Sequence, residues 1–237
     1  MNPLIQLDQC ESTQNEILNY LPVHPDGILA VFTDKQTKGR GQYGNQWDSG
    51  EGMNMAYSIA VRCQDYKASA LSFNFHTAVL CRYFLDKLTD AKVKIKWPND
   101  IIINNKKVAG LLVEKMKCQG VEYYVFGIGL NLLQVDFLGL SSAGSVLSQT
   151  GIRFRVDDFA KEFHDFLCGN VLQCDEAEVL ELYNLNLFRK NEISVFEIKG
   201  MRQNGIIRLV DAQGFLHVEL ENEGLKTFTY KELKLLY

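Results

Sequence analysis

The strongest constraint on the fold is a glycine-rich segment, residues 34–54, that contains five glycines and few aliphatic side chains. It lies between two apolar runs, residues 28–33 and 55–62, whose composition predicts buried strands. Loops of this length inside a compact chain are usually functional or mobile. We therefore expect a long functional or mobile loop that connects two core strands.

The rest of the first 189 residues is predicted to alternate between helices and strands. Ser12 and Thr13 predict an N-capped helix over 12–20, and the nearly all-round apolar run 68–88 predicts a long buried helix. The other predicted elements are short strands at 93–97 and 100–104 separated by Pro98–Asn99, a hairpin of 107–118 with 121–130, and two helical segments within 157–187.

The residue pattern changes again from about Glu192. Short strands separated by tight turns at 211–214 and 221–224 predict a small β-barrel. We therefore expect two domains, residues 1–189 and 190–237.

Composition excludes several classes of protein. The chain has 237 residues, 46% of them hydrophobic, and 25 Lys and Arg against 29 Asp and Glu. The net charge of -4 gives no whole-protein basic footprint for nucleic acid. Neither a signal peptide nor a membrane-spanning run is visible, and the six cysteines match no zinc template. These features predict a cytoplasmic protein with reduced, mostly buried thiols.

Charge is distributed unevenly along the chain. Residues 92–117 carry seven lysines against Asp100 and Glu114, a net charge of +5. Residues 157–197 carry ten acidic and three basic side chains, a net charge of -7. Two interpretations stay open: solvated faces of ordinary elements, or a 92–117 region that faces an anionic ligand.

Residues 39–44 match the spacing GxGxxG, but no helix start follows, as a dinucleotide-binding turn requires. The loop still carries Lys35, Lys38 and Arg40, which can approach a phosphate or a carboxylate together with backbone N–H groups. The alternative interpretation is that this loop is a flexible connector that binds no ligand.

Residues 96–100, Lys-Trp-Pro-Asn-Asp, group a cation, an indole, an amide and a carboxylate. This set can stack a base, pair with a phosphate and hold a metal ion; the alternative is a turn with solvated charges. Small residues at 109–110 and at 127–129 leave space at strand ends for a ligand. His24, His76, His164 and His217 show no ligand spacing and are interpreted as structural or surface residues.

Taken in order, these segments resemble the biotin protein ligase family. The matching pieces are Ser12-Thr13, Gln36-Thr37, GRGxxG at 39–44 with Trp47, KWPND at 96–100, KVAGLLVE at 107–114 and GIGLN at 127–131. They span about half of the chain. Only 11 residues precede Ser12, so the resemblance is to monofunctional members without the N-terminal DNA-binding domain, and operator binding is not expected.

The resemblance implies an α+β fold: a mixed sheet flanked by helices, like that of class II aminoacyl-tRNA synthetases, with a C-terminal SH3-type β-barrel. It implies that the biotin carboxylate attacks the α-phosphate of Mg²⁺-bound ATP to give biotinoyl-5′-AMP. A lysine of a biotin carboxyl carrier domain, part of a biotin-dependent carboxylase, then takes the biotinyl group. The oligomeric state stays open, with edge strands available for a homodimer.

The resemblance also implies roles for individual residues. Lys107 and Arg40 are the predicted catalytic residues, and Asp100 is the predicted Mg²⁺ ligand. The predicted biotin-binding residues are Ser12, Thr13, Gln14, Gln36, Gly39, Arg40, Gly41, Gln42, Lys107 and Gly110. The predicted ATP-binding residues are Arg40, Trp47, Lys96, Asn99, Lys107 and Asn131. The 39–47 loop is expected to order over the adenylate and exclude water.

One departure from the family pattern and three competing functions accompany this prediction. Gln42, Tyr43 and Asn45 stand where arginine-rich members carry arginines, which leaves more of the charge neutralisation to Arg40, Lys38 and Mg²⁺. A lipoate–protein ligase shares the core fold. A non-catalytic biotin or nucleotide sensor would lack the Arg40 and Lys107 pair, and a DNA-binding regulator is disfavoured by length and charge.

Overall fold

A computed structural model describes residues 2–24, 27–48, 50 and 52–237, without the side chain of Tyr43. Positions 49 and 51 of the glycine-rich segment lie outside the described residues. The strands are β1 (Leu4–Gln6), β2 (Leu29–Thr33), β3 (Gly39–Arg40), β4 (Gln46–Trp47), β5 (Asn54–Arg62), β6 (Val93–Lys96), β7 (Asp100–Ile103), β8 (Lys106–Cys118), β9 (Val121–Asn131), β10 (Ile193–Ile198), β11 (Met201–Val210), β12 (Leu216–Leu220), β13 (Gly224–Phe228) and β14 (Lys234–Leu236). The α-helices are α1 (Thr13–Glu16), α2 (Ala70–Leu88), α3 (Val146–Thr150), α4 (Val156–Asn170) and α5 (Glu176–Leu185).

Seven strands form the main sheet in the order β1-β2-β5-β9-β8-β7-β6. The β1–β2 pair is parallel and the other pairs are antiparallel, so the predicted mixed sheet is confirmed. Strand β1 was not anticipated from the sequence, because three residues carry too little periodicity to reveal a strand.

Side chains on successive residues of a strand point to opposite faces of the sheet, and each face has its own apolar cluster. Ala30 and Phe32 belong to the large cluster that α2, α4 and α5 cover. Leu29 and Val31 belong to a smaller cluster with Ile17, which follows α1. The functional cavity described below lies on the face of this smaller cluster.

The predicted helix over 12–20 is shorter than expected. Helix α1 covers only Thr13–Glu16 and continues as a 3-10 turn over Ile17–Asn19. Ser12 takes the N-cap position with extended backbone angles, but its side chain makes no capping hydrogen bond. Packing of Ile17 against the sheet sets the geometry of this segment more than the cap does.

The glycine-rich segment is not a loop throughout, which corrects the prediction. Strands β3 and β4 pair with Gly39 opposite Trp47 and Arg40 opposite Gln46. Gly41 N donates to Asn45 O at 2.8 Å, and Gly44 adopts φ +80° within the turn. This β3–β4 hairpin satisfies its own backbone groups locally, which a count of aliphatic residues cannot reveal.

The long helix and the central hairpin are confirmed. Helix α2 begins after Ser69, whose Oγ accepts from Ser72 N at 3.0 Å. Strands β6 and β7 are separated at Pro98, and β8 pairs with β9 through the turn at Gln119 and Gly120, which both have positive φ. No described helix is long and apolar enough to cross a membrane.

The five C-terminal strands form an antiparallel sheet in the order β13-β12-β11-β10-β14. Within the described residues no pairing joins β13 to β14, so the expected SH3-type barrel takes the form of an antiparallel sheet that is not closed. Strand β14 is only three residues long and pairs with β10 alone. The division into domains 1–189 and 190–237 stays a prediction, because Phe196 and Val218 belong to the same apolar cluster as Phe159.

This shared cluster leads to a stability prediction. Phe196 is fully buried, so Phe196→Ala is expected to lower the free energy of unfolding by about 3–5 kcal/mol. Val195→Ala is the matched control, since Val195 is the neighbouring residue on the exposed face. Urea unfolding followed by circular dichroism measures both variants. Equal destabilisation by the two substitutions would contradict the assignment of Phe196 to the core.

Candidate active site

A cavity of about 890 Å³ opens on the α1 face of the main sheet. Its walls come from α1, the β3–β4 hairpin, the turn between β6 and β7, and the C-terminal sheet. Elements distant in sequence therefore meet around one space, large enough for a ligand of cofactor size.

The floor of the cavity is formed by small residues in register across the main sheet. Ala56 pairs with Gly129, which pairs with Gly110, so one row of three strands carries almost no side chain. In the next row Ser58 pairs with Gly127. Residues opposite each other in a sheet share a face, so these rows create a flat surface.

Two of these glycines are required by close approach of a side chain. A Cβ on Gly129 would lie 2.3 Å from Cε2 of Trp47, whose ring covers this part of the floor. A Cβ on Gly127 would lie 2.5 Å from Oε1 of Gln14. Larger residues at either position would displace the side chains that bound the cavity.

A charged triad stands beside the floor. Asp100 pairs with Gly110 across β7 and β8, which places its carboxylate at the end of the small-residue row. Its Oδ1 lies 2.6 Å from Lys107 Nζ, and its Oδ2 lies 3.1 Å from Lys96 Nζ. The three groups together carry a net charge of +1, which suits an anionic ligand.

A β-bulge directs the Lys107 side chain towards Asp100. Ile101 pairs with Ala109, but Ile102 pairs with Lys107, so one extra residue of β8 is inserted at this point. Val108 and Ala109 both join the core on the opposite face. Without the bulge the alternation of the strand would direct Lys107 into that core.

Arg40 extends from the β3–β4 hairpin to the main sheet. Its Nη2 donates to Glu114 Oε1 at 2.5 Å, and its Nη1 donates to Asn15 Oδ1 at 2.7 Å. Trp47 stands opposite Gly39 in the same hairpin, and Lys107 Nζ lies 5.6 Å from the centre of a Trp47 ring. The two predicted catalytic cations therefore lie on the walls of one cavity.

A polar network closes the α1 end of the cavity. Gln36 Oε1 accepts from Thr13 N at 2.9 Å and from Thr13 Oγ1 at 3.2 Å. Ser58 Oγ lies 2.9 Å from Thr13 Oγ1 and 3.1 Å from Gln14 Oε1. Gln14 Nε2 donates to Val125 O at 3.0 Å. Buried donors and acceptors held in this way can recognise a polar ligand group.

Two further polar atoms have no partner within the described chain. Gln42 Oε1 and Trp47 Nε1 are buried without a hydrogen bond, and both residues line the cavity. Buried groups of this kind are costly when unpaired, so each is a candidate contact for a bound molecule.

The turn between β6 and β7 is fastened on both sides. Asn99 Nδ2 donates to Leu111 O at 2.6 Å, and Trp97 Nε1 donates to Gly214 O at 3.0 Å. Trp97 therefore links the site to the C-terminal sheet.

The C-terminal sheet adds a tyrosine to the cavity wall. Lys96 Nζ lies 5.6 Å from the centre of the Tyr237 ring. Burial and the negative charge of Asp100 raise the pKa of the Tyr237 phenol to about 12, so it stays a neutral hydroxyl at physiological pH.

Most of the predicted site residues line the cavity. These are Ser12, Thr13, Gln14, Gln36, Arg40, Gly41, Gln42, Trp47, Lys96, Asn99, Asp100, Lys107 and Gly110. Gly39 lies behind the wall, where Trp47 O and Gln36 Nε2 fill the space beside its Cα. Asn131 is buried away from the wall and donates to Gly144 O at 3.0 Å.

Fewer lysines reach the site than the charge count of 92–117 indicates. Of the seven lysines in this range, only Lys96 and Lys107 line the cavity. Lys115 pairs with Glu122 at 2.9 Å, and Lys106 donates to Ser141 O. The anionic-ligand interpretation therefore applies to two lysines and not to the whole range.

The charged triad also bears on the predicted magnesium site. Both carboxylate oxygens of Asp100 contact ammonium groups, and its side chain is 11% exposed. The described residues contain no cluster of three or more His, Cys, Asp or Glu side chains that could hold a metal ion. Mg²⁺ is usually held by waters, one or two carboxylates and substrate phosphates, and Asp100 as its ligand stays a prediction.

All six cysteines are free thiols; Cys10 and Cys81 are buried, and the other four are partly exposed. Burial raises the pKa of the Cys10 and Cys168 thiols to about 11, with the charge of Glu16 adding to the effect at Cys10. Neutral thiols are poor nucleophiles, which is consistent with their structural interpretation.

Sequence reasoning missed part of the site. Ser58 and the C-terminal Tyr237 line the cavity but were not predicted, whereas Gly127 and Gly129 lie where small residues were expected to leave space for a ligand. The small residues at alternate positions 56, 58 and 60 of β5 were a usable signal, since they lie on one face of the strand. Tyr237 had no local signal, because its place depends on the packing of the C-terminal sheet.

Comparison with known proteins agrees with this geometry. Residues 7–131 match the model of the biotin/lipoate A/B protein ligase family. A bifunctional ligase/repressor BirA from Salmonella typhimurium is 34% identical over 88% of this chain and 67% of its own. A biotin--[acetyl-CoA-carboxylase] ligase from Paracoccus denitrificans is 33% identical over 65% of this chain and 66% of its own. The chain spans only 39% of a Bacillus subtilis BirA and 61% of the Escherichia coli BirA.

The fold has relatives among solved structures. An Aquifex aeolicus biotin protein ligase, solved with biotin and ATP, superposes with a TM-score of 0.78 over 100% of this chain and 99% of its own, at 21% identity. A Leishmania major biotin protein ligase, solved with biotinyl-5-AMP, gives 0.68 over 95% of this chain and 98% of its own, at 20% identity.

The family model covers more than half of the chain, and the Salmonella relative is matched over two thirds of its length. This chain therefore belongs to the biotin/lipoate A/B protein ligase family.

Proposed function

We propose that this chain is an ATP-dependent biotin–protein ligase that forms biotinoyl-5′-AMP and transfers the biotinyl group to a lysine of a biotin carboxyl carrier domain. One observation carries the proposal: Arg40 and the Lys107–Asp100–Lys96 triad lie on the walls of one cavity with a flat, small-residue floor. Biotin protein ligases with this fold have been solved with biotin and ATP and with biotinyl-5-AMP.

The first step brings two anions together. The biotin carboxylate attacks the α-phosphate of Mg²⁺–ATP, a P–O bond to pyrophosphate breaks, and the mixed anhydride forms. Fixed positive charges must offset the repulsion and the charge that develops on the phosphate oxygens. Arg40 on β3 and Lys107 on β8 supply these charges, and Asp100 holds Lys107 in place.

The polar network at the α1 end would receive the ureido group of biotin. Thr13, Gln14, Gln36 and Ser58 offer both donors and acceptors there. The floor of Ala56, Gly110 and Gly129 would lie under the body of the ligand, with Trp47 covering it. Burial of the mixed anhydride beneath Trp47 would limit its hydrolysis.

In the second step the neutral amine of the carrier lysine attacks the acyl carbon and AMP leaves. With an ordinary pKa of about 10.4, roughly one lysine in 2,500 is neutral at pH 7, so a proton must be taken up nearby. Asp100 is engaged by two ammonium groups, so accepting this proton would first require release of one of them.

The cellular setting completes the proposal. A ligase of this kind would act in the cytoplasm, where ATP and carboxylases meet, without nucleic acid as a partner. A homodimer built on edge strands and the two-domain division at residue 190 are also proposed.

A lipoate–protein ligase is the second candidate, because the matching family model covers both acids.

The direct test mixes the purified chain with Mg²⁺–ATP and a biotin carboxyl carrier domain. With biotin, the carrier is expected to gain the mass of one biotinyl group, read by intact-protein mass spectrometry. Lipoate in place of biotin is the control. Transfer of lipoate but not biotin would overturn the choice of substrate, and transfer of neither would overturn the proposed ligase.

A variant tests the triad. Lys107→Ala is expected to slow biotin-dependent exchange of pyrophosphate into ATP by at least about 100-fold, because loss of a preorganised charge-stabilising donor typically costs that much. Lys117→Ala, on the exposed part of the same strand, is the matched control and is expected to exchange like the unmodified chain. Normal exchange by a folded Lys107→Ala variant would remove Lys107 from the mechanism.

A further inference from the structure

Arg40 connects three separate elements at the rim of the cavity. It lies on β3, Asn15 lies on α1, and Glu114 lies on β8 of the main sheet. The guanidinium contacts both partner side chains, at 2.7 Å from Asn15 Oδ1 and 2.5 Å from Glu114 Oε1.

The sheet register explains why Glu114 is available. Val125 pairs with Glu114, Gly127 pairs with Leu112, and Gly129 pairs with Gly110. Glu114 therefore lies on the cavity face of the sheet, two rows beyond the row that carries Gly110. A carboxylate in this place is at the edge of the site and within reach of the hairpin that covers it.

The Glu114 side chain is only 27% exposed, and its Oε2 is buried without a partner in the described chain. A half-buried carboxylate is stabilised by a close cation. The ion pair therefore stabilises the charge of Glu114 and at the same time orients the Arg40 side chain. The Arg40 side chain is 40% exposed and has four rotatable bonds, so without its partners it would sample many orientations.

Arg40 keeps donors available while it is held. A guanidinium has five N–H groups, of which two are used in the contacts with Asn15 and Glu114. The same side chain lines the cavity. It can therefore contact an anion in the cavity without leaving its two partners.

We propose that Glu114 and Asn15 are positioning residues that hold Arg40 in its anion-binding orientation before the substrate arrives. The inference rests on the proposed function, since the anion is the biotin carboxylate or the α-phosphate. Glu114 and Asn15 lower the conformational entropy that Arg40 loses on binding, and they fasten the β3–β4 hairpin to the sheet.

The test is a double-mutant cycle on biotin-dependent pyrophosphate exchange. Glu114→Ala is expected to lower kcat/KM about tenfold, in line with the loss of a hydrogen bond to a charged group. Glu114→Gln keeps an acceptor oxygen and is expected to recover part of this loss. In an Arg40→Ala background Glu114→Ala is expected to have no further effect, because it acts through Arg40.

Glu122→Ala is the matched control. Glu122 lies on the same β8–β9 hairpin but away from the cavity. Its carboxylate pairs with Lys115 Nζ at a distance of 2.9 Å. It is expected to leave exchange unchanged. A tenfold loss that persists in the Arg40→Ala background, or normal exchange in Glu114→Ala, would overturn the positioning role. Absence of exchange in the unmodified chain would instead count against the proposed function.

Limited trypsin digestion gives a readout that does not depend on ligase activity. Trypsin cleaves after arginine, and a held Arg40 side chain is protected. Cleavage after Arg40 is expected to be several-fold faster in Glu114→Ala than in the unmodified chain or in Glu122→Ala. Equal cleavage rates would show that Glu114 does not hold Arg40.

Discussion

The site depends on the Asp100 carboxylate lying between two ammonium groups. Its side chain is 11% exposed, and a charge so far removed from water is stable only with close partners. The same pairing fixes Lys107 and Lys96, which come from β8 and β6 on either side of β7. One buried negative charge therefore orients two positive charges and leaves a small positive excess facing the cavity.

The backbone around this triad follows from the same requirement. The bulge in β8 turns Lys107 out of the core, and Val108 and Ala109 fill the space on the other face. Next to the triad the row of Ala56, Gly129 and Gly110 supplies room instead of side chains. Charge and space thus lie next to each other because the register of antiparallel strands places them there.

The segments that the sequence singled out come together around one cavity. The segments 39–44, 96–100 and 107–110 each combine glycine or proline with charged groups. Arg40, Gly41, Gln42, all of 96–100, Lys107 and Gly110 line the cavity. The long helix α2 and the β8–β9 hairpin were also predictable, since their periodicity is regular over many residues.

Features set by tertiary contacts were not predictable. The bulge at Lys107 is invisible in a pattern of apolar residues, and the β3–β4 hairpin forms where aliphatic residues are scarce. Whether the C-terminal sheet closes was not predictable, because short strands and tight turns fit an open sheet as well as a closed barrel. The contribution of Tyr237 depends on how that sheet packs against β6.

The central claim is that the cavity makes and retains an acyl-adenylate. Native mass spectrometry of the purified chain after incubation with biotin and Mg²⁺–ATP, without a carrier domain, tests it most directly. We expect a complex heavier than the free protein by the mass of biotinoyl-5′-AMP. Complexes that contain only biotin or only ATP, with no adenylate formed, would contradict it.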